Sequence, residues 1–419
     1  CAAGRFGKIF QQRSHRIITQ LGKQPLGTVG GQRLRRENER LGAVVVLLLD
    51  LARGLACLWV FFFHVGNLFD GSAPTIAYIA SFGHLGVPMF FVISGYVITH
   101  AAESSQQANR SPLIFLRNRF KRIYLTYWAS LVVILLLPFV LELLSSFKTG
   151  EYVQPESVVA RYTPWEWVNV VLLTQVFWAH SSDLASEFAG INTVFWTLAI
   201  EFQFYVVVFL ALWLGRFYRY AIALVTLASL VVMVVPNNLN FGLFIHYWPS
   251  FAVGIGLAYL HRNGIQLHVN SFRKLVLLLL LTAVTLAFAA YVHPIHIRTN
   301  HLVFSSIFGA LLWLFSDLEI VLQRLKNSKS RIVYFLLEPW LVLGAMSYSA
   351  YLLHLKLFLL PFMFVSQVFG TDSIALGLVT ILLTLLLTYP FYYFVERHFL
   401  SSRYKKLHRA VVHSPGNGD

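Results

Sequence analysis

Apolar runs of membrane-spanning length, set apart by short and mostly basic polar segments, recur from about residue 45 to residue 396. Ten can be marked, at approximately 45–66, 84–101, 123–144, 194–214, 219–236, 241–260, 274–292, 301–316, 341–364 and 374–396. Each is close to the ~20 apolar residues with which an α-helix crosses a hydrocarbon core. The pattern predicts an all-α polytopic membrane protein with about ten transmembrane helices. The segment VNVVLLTQVFWA (168–179) is apolar but short, and predicts a re-entrant or interfacial helix. Residues 1–42 are basic with no long apolar run and read as a disordered N-terminal tail or leader. The transmembrane domain is then 43–400, followed by a short basic cytoplasmic tail, 401–419. The long segment 146–192 carries Glu151, Glu156, Glu166, Asp183 and Glu187 among several aromatics and reads as an outer lid. No internal repeat is apparent, which removes support for an inverted-repeat transporter.

Composition sharpens this picture. The 419-residue chain is 57% hydrophobic and only 12% charged, with mean hydropathy +0.65. A soluble domain carries about 25% charged residues. The formal charge of +15 would suit nucleic-acid binding on a soluble surface, but its distribution argues against that. Of the 33 Lys and Arg, 28 fall in the termini and in alternate loops on one side, while the opposite loops hold Lys148, Arg161 and Arg298. By the positive-inside rule this predicts an even number of crossings, with both termini cytoplasmic. The expected location is the cell (inner or plasma) membrane, as a multi-pass protein. Only Cys1 and Cys57 are present, too few for a disulfide framework or a cysteine-rich metal site. The first apolar run begins near Ala43, so no cleavable signal peptide is expected.

Candidate chemistry begins in the first run, LDLARGLACLWVFFFHVGNLF (49–69). Eleven residues separate Arg53 from His64, a spacing that returns to within roughly 20° of one direction and about 16 Å along the axis. Both groups are costly in lipid, so they are expected to face a wet or protein-lined interior. A neutral imidazole can take a proton from a hydroxyl near neutral pH, and a guanidinium suits a phosphate. A structural histidine bonded to a neighbouring helix is the competing reading for His64. In FLRNRFKRIYLTYW (115–128), Arg119 and Arg122 form an RxxR pair able to clamp one phosphate, unless the whole basic edge is only topogenic.

Glu201, in FWTLAIEFQFYVVVFLAL (195–212), is an intramembrane carboxylate with Gln203 and Tyr205 close by. It could orient His64 or hold a hydroxyl, or pair structurally with Arg53 or Lys356. GHLGVPMFFVISGYVIT (83–99) brings Gly83, Gly86, Ser94 and Gly95, residues suited to close helix packing. SYSAYLLHLKLF (347–358) places Tyr348, Tyr351 and His354 successively one turn apart, which predicts a polar stripe. No spacing argues for a metal.

Taken together, LDLARGLACLWVFFFH, GHLGVPMFFVISGYVI, FLRNRFKRIYLTYW, FWTLAIEFQFY, SYSAYLLH and YYFVERHFL resemble the acyltransferase family 3 of membrane-bound O-acyltransferases, in the family's order across 49–400. The resemblance implies ten helices, and transfer of an acyl group, usually acetyl, from cytoplasmic acyl-CoA to a sugar hydroxyl of a surface polysaccharide or glycolipid. It implies that the family's arginine-ten-residues-histidine motif falls on Arg53 and His64, its RxxR pair on Arg119 and Arg122, and its glutamate on Glu201. His64 and Glu201 would then be catalytic, with Arg53, Arg119 and Arg122 binding acyl-CoA (acetyl-CoA). Where many members have a second carboxylate this chain has Phe202, and where proline is common it has His398. The resemblance takes in no hydrolase-like domain of the kind fused to some members, which leaves open a separate extracytoplasmic transferase partner. Read from the residues without the resemblance, a transporter or flippase of a sugar or lipid-linked intermediate stays open, as does a sensor that binds acyl-CoA without turnover.

Overall fold

The computed structural model describes residues 46–400 apart from 156, 179–183, 236–237, most of 266–296, 327–329 and 371–372. The leader 1–42, the tail 401–419, most of the span 274–292, and Glu156 and Asp183 of the outer segment lie outside the described residues. All regular structure within them is helical: α1 (Val46–Val65), α2 (Pro74–Ser81), α3 (Gly86–Gln107), α4 (Pro112–Phe120) and α5 (Thr126–Thr149). Then come α6 (Pro164–Leu172), α7 (Trp196–Trp213), α8 (Tyr218–Val234), α9 (Trp248–Arg262), α10 (Ile297–Leu314) and α11 (Leu318–Lys326). The last are α12 (Arg331–Ala345), α13 (Ser347–Leu357), α14 (Leu359–Phe369) and α15 (Ile374–Phe394). Six helical stretches among the described residues are long and apolar enough to cross a membrane, or up to eight if each of two bent pairs is one span. This is a multi-pass membrane architecture.

Small residues set how closely these helices cross, as expected where packing rather than water drives association. A Cβ on Gly95 of α3 would strike the backbone of Phe251 in α9, and one on Gly254 of α9 would strike that of Val92 in α3. Gly83 and Gly86 lie equally close to the α1 backbone at Trp59 and Ala56. Three of the four small residues in 83–99 are therefore packing residues. Ser94 is not, and belongs to the site.

The run at 341–364 is not one straight helix. α12 and α13 meet at 78° around Met346, and α14 continues from Leu359. Gly344 is pressed against the backbone of Asp50 in α1, where a side chain would not fit. The bend leaves the first N–H groups of α13 without helical acceptors. The buried carboxylate of Glu396, just after α15, accepts from the Ser349 N–H at 2.9 Å and from its hydroxyl at 2.5 Å. Asn192 donates to the Leu352 carbonyl at 2.8 Å. The Glu396 carboxylate, distant in sequence, thus satisfies backbone that the break exposes, and Asn192 adds a second tie to α13; this is the condition under which broken helices persist at membrane depth.

α9 starts seven residues later than the run 241–260 suggests, because 241–247 forms a short 3-10 turn and loop. Gln203 of α7 holds that loop, donating to Gly242 O at 2.8 Å and accepting from the Phe244 N–H at 2.9 Å. The short apolar segment at 168–179 is also partly helical. α6 opens with a reciprocal Thr163/Glu166 capping box and stops at Leu173, whose φ is 58°. The Thr163 N–H and hydroxyl hold the Glu166 carboxyl below its usual range. At the other end, Tyr127, Trp128 and Tyr124 donate to the carbonyls of Val170, Val171 and Leu172 at 2.7, 3.0 and 2.7 Å. Three aromatic side chains of one helical segment thereby take the last carbonyls of another, and a segment too short to span is docked against the bundle.

Candidate active site

The buried Glu319 of α11 accepts from the Leu47 and Leu48 N–H groups in the first turn of α1, at 3.3 and 2.9 Å. A carboxylate at a helix N-terminus satisfies orphan donors and favours the macrodipole. α1 is thus anchored two turns before Arg53. Leu55 and Phe63 mark its exposed side, at 52% and 39%. Arg53 and His64 are both partly buried, as their common face required. Arg53 contacts the buried Asp50 one turn earlier, at 3.4 Å. The His64 ring makes no hydrogen bond to the described residues; it lies 5.1 Å from the rings of both Phe63 and His354.

The two arginines of the RxxR pair are placed differently. A five-residue π turn, Lys121–Leu125, begins immediately after Phe120, so Arg119 ends an α-helix while Arg122 lies within the wider turn. Arg122 pairs with Glu396 at 2.9 Å and lies 5.3 Å from the centre of the Tyr348 ring. Arg119 has no carboxylate within ion-pair distance among the described residues, its Nε is buried without a partner, and its aromatic neighbour is Phe115 at 5.9 Å. The charges of Arg122, Glu201 and Arg53 all act on it. A guanidinium so placed, beside two further cations and short of acceptors, is suited to an anion.

Glu201 accepts hydrogen bonds on one carboxylate oxygen, from Ser94 of α3 at 2.7 Å and from Tyr205 one turn along its own helix. Its second oxygen has no bonded partner in the described residues. Neither Arg53, Lys356 nor His64 is its hydrogen-bond partner. The charge of this carboxylate acts on Arg119.

The stripe on α13 joins the two regions. Tyr348 lies under Arg122 and donates to Ile123 O at 3.1 Å. Tyr351, one turn on, accepts from Thr197 at 2.8 Å, and the next turn brings His354 against His64. Six residues of helix span about 9 Å, so a line of side chains, partly exposed at Tyr348 and buried at Tyr351 and His354, winds along α13 from Arg122 to the imidazole. The structure therefore sets Arg119 within electrostatic reach of Arg53, Arg122 and Glu201, and α13 links Arg122 to His64 through Tyr348 and His354. Sequence reasoning did not single out Glu396, Glu319 or Asp50 as parts of this framework. Each is an acid beside an apolar run, the signal that drew notice to Glu201. Among the described residues no group of three or more His, Cys, Asp or Glu is placed to hold a metal.

Comparison with known proteins agrees with this architecture. No solved structure matches the chain. A curated protein from Rhizobium radiobacter, "Protein 2 in picA locus", is 35% identical over 82 residues, 19% of this chain and 39% of that protein, so the chain covers well under half of its length. The family model "Acyltransferase domain" matches residues 46–393, which include Arg53, His64, Arg119, Arg122, Glu201 and His354 and nearly all of the described helices. The chain therefore belongs to the acyltransferase 3 family.

Proposed function

We propose that this protein is an O-acyltransferase of the inner or plasma membrane. It would move an acyl group, acetyl in the simplest case, from cytoplasmic acyl-CoA to a sugar hydroxyl of a surface polysaccharide or glycolipid. The family supports acyl transfer as the reaction. One observation supports the finer reading: Arg122 and His64 stand at the two ends of the α13 stripe, and beside Arg122 the Arg119 guanidinium is buried with no carboxylate partner among the described residues, while the imidazole makes no hydrogen bond to them. Such groups are costly to bury unless a substrate engages them.

In this reading Arg119 takes the donor's phosphate groups, with Arg53 and Arg122 adding positive field from positions already bonded to Asp50 and Glu396. The pantetheine arm then lies along α13, past Tyr348 and Tyr351, and brings the thioester to His64. His64 removes the proton of the acceptor hydroxyl as its oxygen attacks the thioester carbon. The C–S bond breaks, and the proton on the imidazole passes to the departing thiolate. A route through a transient acyl-imidazole uses the same atoms in two steps. The second oxygen of Glu201 is available to an N–H or O–H of either substrate. A separate extracytoplasmic transferase could receive the acyl group in place of the glycan.

The test is turnover of purified protein in nanodiscs with acetyl-CoA and a glycan acceptor, followed by mass spectrometry. His64→Ala is expected to lower kcat by about 10²–10⁴-fold. Wild-type turnover in that variant rejects the assignment, and a transporter or flippase would give no acylated product from either protein.

A further inference from the structure

We infer that His354 is a positioning residue for His64, a neutral hydrogen-bond acceptor in the place where many catalytic histidines have a carboxylate. This rests on the acyl-transfer reading of His64. His354 is 1% exposed, and its Nδ1 lies 2.9 Å from Tyr351 O and 3.1 Å from Ala350 O. Carbonyl oxygens only accept, so Nδ1 carries a proton. In the neutral ring Nε2 is then bare, and it is buried without a hydrogen-bond partner. The helix backbone fixes this tautomer, and with it an acceptor on the side of the ring opposite the backbone bonds.

Three aromatic rings pack against the His354 ring, centre to centre: Phe61 at 5.2 Å, His64 at 5.1 Å and Tyr351 at 5.9 Å. Phe61 has nothing to donate. The Tyr351 hydroxyl accepts from Thr197 and directs its own proton at Val194 O, 3.3 Å away. Of these three rings His64 alone has an N–H with no hydrogen-bond partner among the described residues. No carboxylate bonds to either imidazole among the described residues; Glu201 is bonded to Ser94 and Tyr205, and Glu396 to Arg122 and Ser349.

The role follows from the proton count. When one His64 nitrogen takes the hydroxyl proton, the ring becomes an imidazolium whose other N–H needs an acceptor. The Nε2 lone pair of His354 supplies it and sets which His64 nitrogen faces the substrates. His354 gains no proton, and the one held by His64 leaves with the thiolate. If the route runs through an acyl-imidazole, the same lone pair takes the N–H of the attacking ring. A neutral acceptor also leaves no anion beside the approaching thioester.

The test compares His354→Phe, which keeps a ring without an acceptor, with His354→Gln, whose amide oxygen restores one. Both are first checked for monodispersity and melting temperature. His354→Phe is expected to lose about 10²-fold in kcat with donor KM changed by less than about threefold, and His354→Gln to recover at least about tenfold of that loss. Wild-type kcat in His354→Phe overturns the inference, as does equal impairment of both folded variants. A second measurement needs no variant: ¹⁵N NMR of histidine-labelled wild-type protein is expected to show His354 protonated at Nδ1 and bare at Nε2. The opposite tautomer overturns the proposal even if a variant fails to fold. Should wild-type protein transfer no acyl group, or His64→Ala retain turnover, the functional reading falls instead, while the His354 tautomer can still be read.

Discussion

The three arginines near the site differ in what they are already bound to, and that difference separates their expected phenotypes. Arg122 neutralises a fully buried carboxylate, whereas Arg119 has no comparable partner among the described residues. Arg119→Ala is expected to raise the donor KM about tenfold or more, the loss of one charge-assisted contact to an anion, with an unchanged melting temperature. Arg122→Ala strands Glu396 and should cost on the order of 2–5 kcal/mol of stability, seen as a lower melting temperature at any donor concentration. The opposite pattern would show that Arg119 is the structural member of the pair. These candidates were legible in the sequence because a charge in an apolar run stands out against its neighbours. Their partners were not, because Arg122 and Glu396 are 274 positions apart and Leu47 and Glu319 are 272. Spacing rules act within one helix; they do not say which helix end folds back on which.

At the scale of elements, hydropathy found most helices but not the places where they stop. α12 and α13 read as one span because nothing in their apolarity marks Met346. The break depends on Gly344 meeting the α1 backbone and on Glu396 arriving from beyond α15, both tertiary facts. α6 shows the same lesson in reverse. Its shortness was legible, while the three aromatic donors that hold its last carbonyls lie more than forty positions away. The crossing of α3 and α9 is the most exposed to a small change, since each helix places a glycine against the other's backbone. Gly95→Leu is expected to separate these helices and to abolish a monodisperse peak in size-exclusion chromatography, whereas Gly256→Leu, with open space around it, should leave the peak unchanged. Equal behaviour of the two variants would mean that the contact does not set the packing.

At the scale of the whole molecule, the alternation of basic and non-basic loops predicts a sidedness that accessible cysteines can check. Cys57 is buried against Ser347 O at 3.5 Å, so it should resist a membrane-impermeant maleimide in the folded protein. In a chain with Cys1 replaced, Asn67→Cys and Arg216→Cys both give exposed sites. Labelling of intact cells is expected to reach position 67 and to spare position 216 until the membrane is opened, because the charge pattern puts the first loop outside and the Arg216 loop inside. Labelling of 216 in intact cells would invert the topology and, with it, the side from which the donor enters.

The π turn at Lys121–Leu125 has a consequence for how this chain tolerates insertions and deletions. It stores one surplus residue between the arginine segment and the long helix that follows. Removing that residue would let regular winding resume with the flanking segments still in register, whereas a loss from a regular α-helix swings everything upstream by about 100° relative to everything downstream. Arg119 would keep its aim while Tyr127 and Trp128 kept their hold on α6. A frame-preserving loss of a single codon in this stretch, sparing Arg122 and Tyr124, should therefore be milder than the same loss within α5, because the wide turn absorbs it.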